Sequence, residues 1–249
     1  MNRCFISRIN ECKGMCEYCF GKRRDYKKFM EPYVIEDNTI LYPNCDGDFF
    51  DYNYEEMLEY IKQLTTKNLI VSISTKFDIS NEKLKKCMDL NNYLKTHNDG
   101  FLKISVSFSC ENHLPEIEKN TSTYVQRLEL IKRIIEHNIP YINIIKPILP
   151  FIDFSEYKKI IDDTIIYCPY YILGDLYFEQ NSAFYNKYLK ESNNIISEKK
   201  PSWNGNNGAW LEVSNKELKN KIMTYIDKKE GKVFDSDENA LIYMKNKGE

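Results

Sequence analysis

The chain has 249 residues with 35 basic and 37 acidic side chains, a formal net charge of -2, and eight cysteines. This charge balance offers no global attraction for a polyanion, so the composition does not favour nucleic acid as a partner. No apolar run approaches the roughly 20 residues of a membrane span, and the first residues lack a basic-then-apolar leader. We therefore expect one main cytoplasmic unit without a membrane partner.

Short β-rich runs alternate along the chain with segments of helical spacing. The predicted strands are residues 3–9, 38–42, 68–75, 102–109, 141–148 and 170–178. The predicted helices are residues 54–66, 81–97, 122–138, 155–163, 181–191 and a final helix at 215–229, which Ser214 and Glu217 would cap. This order predicts right-handed βαβ units and an α/β parallel sheet.

Two of the predicted strands alternate polar with apolar residues, and their polar members are serines and Lys103. A parallel sheet packed on both faces is nearly all apolar. The inward face is therefore expected to look onto a polar ligand in an open barrel. We expect residues 1–178 to form this core and residues 179–249 a C-terminal extension of helix and loops that closes the barrel and faces the substrate.

Cys12, Cys16 and Cys19 have the spacing C-x3-C-x2-C. Three such thiolates can bind three irons of a [4Fe-4S] cluster and leave the fourth iron open. Two alternatives remain. In the first, the three cysteines are small buried hydrophobic residues on one face of a helix, although Gly14 would weaken that helix. A structural zinc site needs a fourth ligand, and the histidines are scattered along the chain.

Placed after the first strand of a six-strand βα chain, the three cysteines resemble the signature of radical S-adenosylmethionine (SAM) enzymes. The resemblance extends from about residue 3 to residue 178 and implies a partial (β/α)6 barrel. It implies that SAM binds the open iron of the [4Fe-4S] cluster and is cleaved reductively, giving a 5′-deoxyadenosyl radical that abstracts hydrogen from a substrate. It also implies a reductant such as flavodoxin or ferredoxin.

Residues 75–76, 118–123, 127–129 and 144–148, with Gly14 and Tyr18, resemble the spore photoproduct lyase-like subgroup. That resemblance implies that Lys76 and Ser107 contact the carboxylate or ribose of SAM and that Tyr18 lies beside its adenosyl group. Arg127 is a further candidate for cofactor binding. Lys76 could equally be a solvated surface lysine, and Arg127 could pair with Glu118 or cap the helix instead of contacting a ligand.

The stretch Asn44-Cys45-Asp46-Gly47-Asp48 follows the second predicted strand. The resemblance implies that Cys45 is catalytic and returns hydrogen to the product radical, and that Asp46 and Asp48 accept hydrogen bonds from the ammonium of SAM. An ordinary loop thiol is the alternative for Cys45. The four remaining cysteines are predicted to be core thiols: Cys4, Cys87, Cys110 and Cys168.

The substrate is not indicated by any motif. The lyase family inserts a basic hairpin into DNA, but residues 203–210 carry asparagines in its place, and the basic run 22–28 is typical of a solvated helix face. We expect a radical SAM enzyme that abstracts hydrogen from an unidentified substrate, for which a nucleic-acid lesion or nucleotide is one candidate. The alternatives are a radical SAM enzyme that modifies a peptide or small metabolite, and a non-catalytic zinc-binding interaction module.

Overall fold

The computed structural model describes eight segments of the chain. They are residues 1–6, 12–19, 34–44, 47–51, 53–179, 182–190, 195–199 and 210–248. Cys45 and Asp46, the basic run 22–28 and residues 203–209 of the predicted hairpin equivalent lie outside the described residues. Within the described segments, no helix has both the length and the apolar character needed to cross a membrane.

In the described residues, twelve strands form one large and two small sheets. They are β1 (Asn2–Ile6), β2 (Met15–Cys16), β3 (Thr39–Pro43), β4 (Ile70–Thr75), β5 (Phe101–Phe108), β6 (Glu118–Lys119), β7 (Asn143–Ile145), β8 (Tyr170–Leu173), β9 (Leu176–Glu179), β10 (Ile195–Lys199), β11 (Trp210–Ser214) and β12 (Lys232–Phe234). The large sheet has the order β1-β3-β4-β5-β7-β8-β12, and each neighbouring pair is parallel. The predicted α/β class with a parallel sheet is confirmed, whereas the barrel closure stays a prediction.

The described part of the chain also contains seven α-helices. They are α1 (Tyr54–Lys62), α2 (Asn81–His97), α3 (Leu114–Ile117), α4 (Tyr124–Glu136), α5 (Phe154–Thr164), α6 (Lys216–Lys228) and α7 (Asp237–Lys247). The longest, α2, begins where the Ser80 side chain accepts a hydrogen bond from the Lys83 amide. Its buried residues include Leu84, Leu90 and Leu94, at helical spacing, so one stripe of the helix packs on the sheet.

The two faces of the large sheet carry different side chains. On β5, Leu102, Ile104 and Val106 belong to the outer core, which the helices α1, α2, α4, α5 and α6 share. Phe101 belongs to a second, inner cluster together with Leu241 and Met244 of α7. Because side chains alternate along a strand, Lys103, Ser105 and Ser107 share the inner face with Phe101. The C-terminal helix therefore covers one part of an inner face that also carries the polar residues of β5.

Three predicted elements differ from the structure. The strand predicted at 170–178 divides at Gly174 and Asp175, and its second half pairs with the antiparallel strand β11 instead of the large sheet. Ser214 is still paired in β11, so the following residue, Asn215, caps α6 and accepts a hydrogen bond from the Leu218 amide. The predicted helix 181–191 contains one short π-helical turn, Tyr185–Leu189, in its described part.

The segment 179–249 contributes more than loops and one closing helix. Its strand β12 pairs with β8 and adds a seventh strand to the edge of the large sheet. Helix α7 then packs against both β8 and β12. The C-terminal part of the chain thus completes the sheet that the first 178 residues begin.

Candidate active site

A cavity of about 330 Å³ opens at the carboxyl ends of the parallel strands. Its lining includes all three motif cysteines together with Asp48, Lys76 and Ser107. Parallel strands bring their carboxyl ends to one edge, and ligand sites of α/β folds lie there. Five of the sequence-predicted site residues beyond the cysteines lie in the described segments, and four of these line this one cavity: Tyr18, Asp48, Lys76 and Ser107.

The cysteine loop is held against the sheet by a segment about one hundred residues further along the chain. Met15 and Cys16 pair in antiparallel fashion with Lys119 and Glu118. The Glu17 amide donates to the Ile117 carbonyl at 2.8 Å, and the Cys19 amide donates to the Cys16 carbonyl at 3.1 Å. The described part of the loop is therefore a turn anchored by a two-residue ladder, and it is not a helix with three cysteines on one face.

The thiols at this wall need a positive partner in order to ionise. Burial raises the pKa of Cys12 to about 11 and that of Cys16 to about 12, although the Lys76 ammonium lowers the latter in part. Metal ions bind thiolates and displace the proton. Three cysteines at one cavity wall are accordingly a suitable donor set for iron or zinc.

The donor set can be compared with both metals by its chemistry. A cuboidal [4Fe-4S] cluster takes one cysteine on each of three irons and leaves the fourth iron open, so three thiols suit it. A single tetrahedral zinc ion needs a fourth ligand beside the three thiols. In the described segments, no three Cys, His, Asp or Glu side chains are placed to hold one metal ion.

Glu118 lies at the centre of a buried polar network beside the cysteine loop. One carboxylate oxygen accepts from the Lys76 ammonium at 2.6 Å and from the Ser109 hydroxyl at 2.6 Å, and it also contacts the Tyr18 hydroxyl. The other accepts from the Arg127 guanidinium at 2.6 Å. Burial raises the pKa of Glu118, but the adjacent Lys76 and Arg127 charges outweigh burial and lower it to about 2. The carboxylate is therefore ionised and shared between two cations.

Arg127 is fully buried, and its N–H groups donate within the protein. Besides Glu118, they donate to the carbonyls of Ser107 and Ser122 and to the Thr121 hydroxyl, at 2.7 to 3.1 Å. Arg127 is not part of the cavity lining. The structure thus shows the pairing of Arg127 with Glu118, and a direct role of Arg127 in cofactor binding stays a prediction.

Lys76 and Tyr18 lie together where the cavity wall meets the Glu118 network. The Lys76 ammonium donates to the Tyr18 hydroxyl at 2.7 Å and lies 5.3 Å from the centre of its ring. The Lys76 side chain is 20% exposed. It is therefore oriented by two protein partners and still reaches the cavity, which distinguishes it from a solvated surface lysine.

Asp48 and Ser107 both line the cavity but already have partners in the protein. The Asp48 carboxylate accepts from the Thr75 hydroxyl, the Lys76 amide and the Phe50 amide at 2.8 to 3.1 Å. Burial raises the pKa of this carboxyl to about 6. The Ser107 hydroxyl donates to the Lys146 carbonyl at 3.1 Å. Asp48 thus accepts hydrogen bonds from the last residue of β4 and the residue after it, and the binding of a ligand ammonium by Asp48 stays a prediction.

Further along the inner face, the cavity is lined by four residues that we call the cavity floor: Arg3, Tyr42, Ser72 and Asp237. Sequence reasoning did not select them. The available signal was Lys103, a lysine inside a buried strand, which requires a carboxylate partner. That partner is Asp237 of α7, at 2.9 Å.

Comparison with known proteins identifies the fold. No protein-family model and no curated protein sequence matches the chain. A spore photoproduct lyase variant superposes with a TM-score of 0.61 at 12% identity, over 90% of this chain and 72% of the lyase chain. A lyase variant with bound AdoMet (SAM) and dinucleoside spore photoproduct gives 0.58 at 12% identity with the same coverage.

The chain has the fold of spore photoproduct lyase. SuiB from Streptococcus suis gives a TM-score of 0.54 at 10% identity, over 94% of this chain and 48% of its own. Methylornithine synthase gives 0.50 at 11% identity, over 78% and 58%. All three are radical SAM enzymes. At these identities the likeness shows a shared fold, so the predicted resemblance to the spore photoproduct lyase-like subgroup is confirmed at that level.

Proposed function

We propose that the chain is a radical SAM enzyme that binds a [4Fe-4S] cluster through Cys12, Cys16 and Cys19 and abstracts hydrogen from a substrate in the cavity. The observation that supports it most is the placement of all three cysteines in the cavity that Lys76 and Ser107 line, at the carboxyl edge of a parallel sheet. The shared fold adds support, because one lyase structure of this fold contains bound AdoMet.

The protein's own groups have definable tasks in this proposal. When bound, the cluster supplies the electron that cleaves SAM. Lys76 presents an ammonium that can neutralise the SAM carboxylate, and Glu118 and Tyr18 hold that ammonium in place. The Ser107 hydroxyl is a donor and acceptor for ribose or amino groups. The cavity wall at the carboxyl ends of the strands orients these groups for the reaction.

The substrate divides the proposal into two versions. In the first, the substrate is a nucleic-acid lesion or nucleotide, as the likeness to spore photoproduct lyase suggests, and Cys45 returns hydrogen so that SAM is regenerated. In the second, it is a peptide or small metabolite. The inner cluster of α7 covers one end of the sheet interior. This covering favours a small substrate.

Anaerobic reconstitution with iron and sulfide tests the enzyme class. We expect a brown protein with about four irons per chain, which is the content of one [4Fe-4S] cluster. Under dithionite it should cleave SAM to 5′-deoxyadenosine and methionine. Replacing any one of Cys12, Cys16 and Cys19 by alanine should abolish both properties, whereas Cys4→Ala, outside the motif, should retain them.

A protein that carries zinc, or motif variants that still cleave SAM, would exclude this function in favour of the zinc-binding interaction module. The ratio of 5′-deoxyadenosine to product then separates the two uses of SAM. A ratio near one shows consumption, and a ratio far below one shows regeneration by a hydrogen donor such as Cys45.

A further inference from the structure

The cavity floor has a charge arrangement that the proposed function does not use. Asp237 accepts hydrogen bonds from the buried Lys103 ammonium at 2.9 Å and from the Ser72 hydroxyl at 2.9 Å. Lys103 also donates to the Ser105 hydroxyl at 3.0 Å. The Lys103 ammonium thus neutralises the Asp237 carboxylate, and the Ser72 hydroxyl helps to hold it in place. The remaining charge of the floor is the guanidinium of Arg3.

Arg3 is held by aromatic rings. Its guanidinium carbon lies 5.0 Å from the centre of the Phe5 ring and 5.4 Å from that of Tyr42, and those two rings stack at 5.0 Å. Among the described residues, no carboxylate forms an ion pair with Arg3 at the floor. A guanidinium oriented on ring faces keeps its N–H edge for a planar or tetrahedral oxyanion.

The hydroxyl of Tyr42 is a second, independent indication. The side chain is only 8% exposed, and its hydroxyl makes no well-formed hydrogen bond to a described residue. Burial and the Asp237 carboxylate that it faces raise the pKa of Tyr42, and the Arg3 guanidinium lowers it in part. Buried hydroxyl groups are normally paired, because leaving one unpaired loses the hydrogen bonds that it makes in water. A ligand that accepts a hydrogen bond at the floor would satisfy it.

The position of the floor sets how far a ligand would extend. Arg3 and Ser72 each lie three residues before the last residue of their own strand. At about 3.3 Å per residue, they are roughly 10 Å along the sheet from the edge where the cysteines lie. A molecule bound at the cavity floor can therefore extend toward the carboxyl ends of the strands without displacing the cysteines and Lys76 there.

From these observations we infer that the cavity floor is a substrate subsite for an oxyanion, a carboxylate or phosphate, that Arg3 and the Tyr42 hydroxyl bind together. The inference rests on the proposed function, since it names the substrate class of the same cavity. The substrate is then a small anionic molecule whose charged end lies at the cavity floor and whose other end faces the three motif cysteines.

Titration of the full chain with inorganic phosphate and with propionate tests the subsite, both as purified and after reconstitution. We expect at least one of the two anions to raise the melting temperature beyond a chloride control of equal ionic strength, and the stronger effect distinguishes phosphate from carboxylate. Arg3→Gln should weaken this binding by about 10- to 100-fold, the range for a hydrogen bond to a charged group. Lys216→Gln removes one exposed positive charge on α6 and should leave it unchanged.

Tyr42→Phe separates ligand binding from a structural role. The variant should weaken anion binding while the ligand-free melting temperature changes little, because the lost hydroxyl makes no well-formed hydrogen bond to a described residue. Wild-type protein that binds neither anion, or Arg3→Gln with unchanged affinity, would overturn the subsite. Anion binding that persists when no cluster can be reconstituted would refute only the proposed enzyme class, so the two failures are distinguishable.

Discussion

Replacing Glu118 by glutamine should destabilise the fold more than any conservative surface change. The Glu118 and Arg127 side chains are fully buried and Lys76 is 20% exposed, so the change leaves two cations around a neutral amide. Removing one partner of a buried ion pair costs about 3–5 kcal/mol. An unfolding entropy near 2.1 cal/mol/K per residue gives about 0.5 kcal/mol/K for 249 residues. The melting temperature should therefore fall by roughly 6–10 °C.

Urea unfolding followed by circular dichroism measures this effect, with Glu116→Gln as the matched control. Glu116 precedes Glu118 by two residues and is exposed, so the same chemical change should alter the free energy of unfolding by less than about 0.5 kcal/mol. If the two variants were equally stable, the carboxylate would not be holding the two cations, and the reasoning about the network beside the cysteine loop would be refuted.

Two further changes test the inner face and a close strand approach. Burial raises the pKa of Asp237, but the Lys103 ammonium outweighs burial, so the pKa in the folded protein lies below the ordinary 3.8. The ion pair therefore stabilises the fold above pH 3.8, and this stabilisation is lost as the pH falls through the lower pKa of the folded protein. Asp237→Asn should cost about 3 kcal/mol in urea unfolding at pH 7, and its difference from wild type should shrink below pH 3.8; a difference that stays constant down to pH 2 would contradict this. A Cβ on Gly100 would lie 1.7 Å from the Leu69 carbonyl oxygen, so Gly100→Ala should cost about 3 kcal/mol or more, whereas Gly14→Ala, with its nearest contacts at 3.4 Å, should cost under about 1 kcal/mol. Equal melting temperatures for the two alanine variants would show that the strand ends separate freely.

Local signals were sufficient for much of the sheet and its helices. Helix α2 has the predicted bounds, because a serine cap and apolar residues at helical spacing both act within the helix itself. The break in the predicted strand 170–178 lies instead at Gly174. The aliphatic part of the Lys146 side chain lies so close there that a Cβ on Gly174 would be 2.4 Å from the Lys146 Cγ. Because this contact joins residues far apart in the sequence, no local periodicity indicates the break.

The C-terminal elements show a different limit. Strand β12 has three residues, too few for an alternating pattern, and α7 buries only the narrow stripe Ala240, Leu241 and Met244. A Ser236 cap before that stripe was a usable signal for α7. Its packing on the inner face of the sheet was not predictable, because that face also includes residues of β3, β4 and β5, which lie more than one hundred positions away in the chain.

For the site, the resemblance to radical SAM enzymes selected Lys76, Ser107 and the three cysteines, and the structure places all five around one cavity. The partner of a buried charge does not follow from such a resemblance. The sequence around Arg127 does not tell whether this residue pairs with a carboxylate or binds a ligand. The tertiary fold shows the pairing, because it places Glu118 between Arg127 and Lys76. The same holds for Asp237, which meets Lys103 across 134 positions of chain.

The ladder between the cysteine loop and Glu118 has a consequence for the order of folding. Tyr18 and Glu118 are 100 positions apart, and the strands β3, β4 and β5 lie between them in the chain. Contacts of such long sequence separation form late, after the intervening strands have assembled. A nascent chain therefore exposes its three thiols before it can shape them into a ligand set, so metal loading would follow, and not nucleate, assembly of the first half of the sheet.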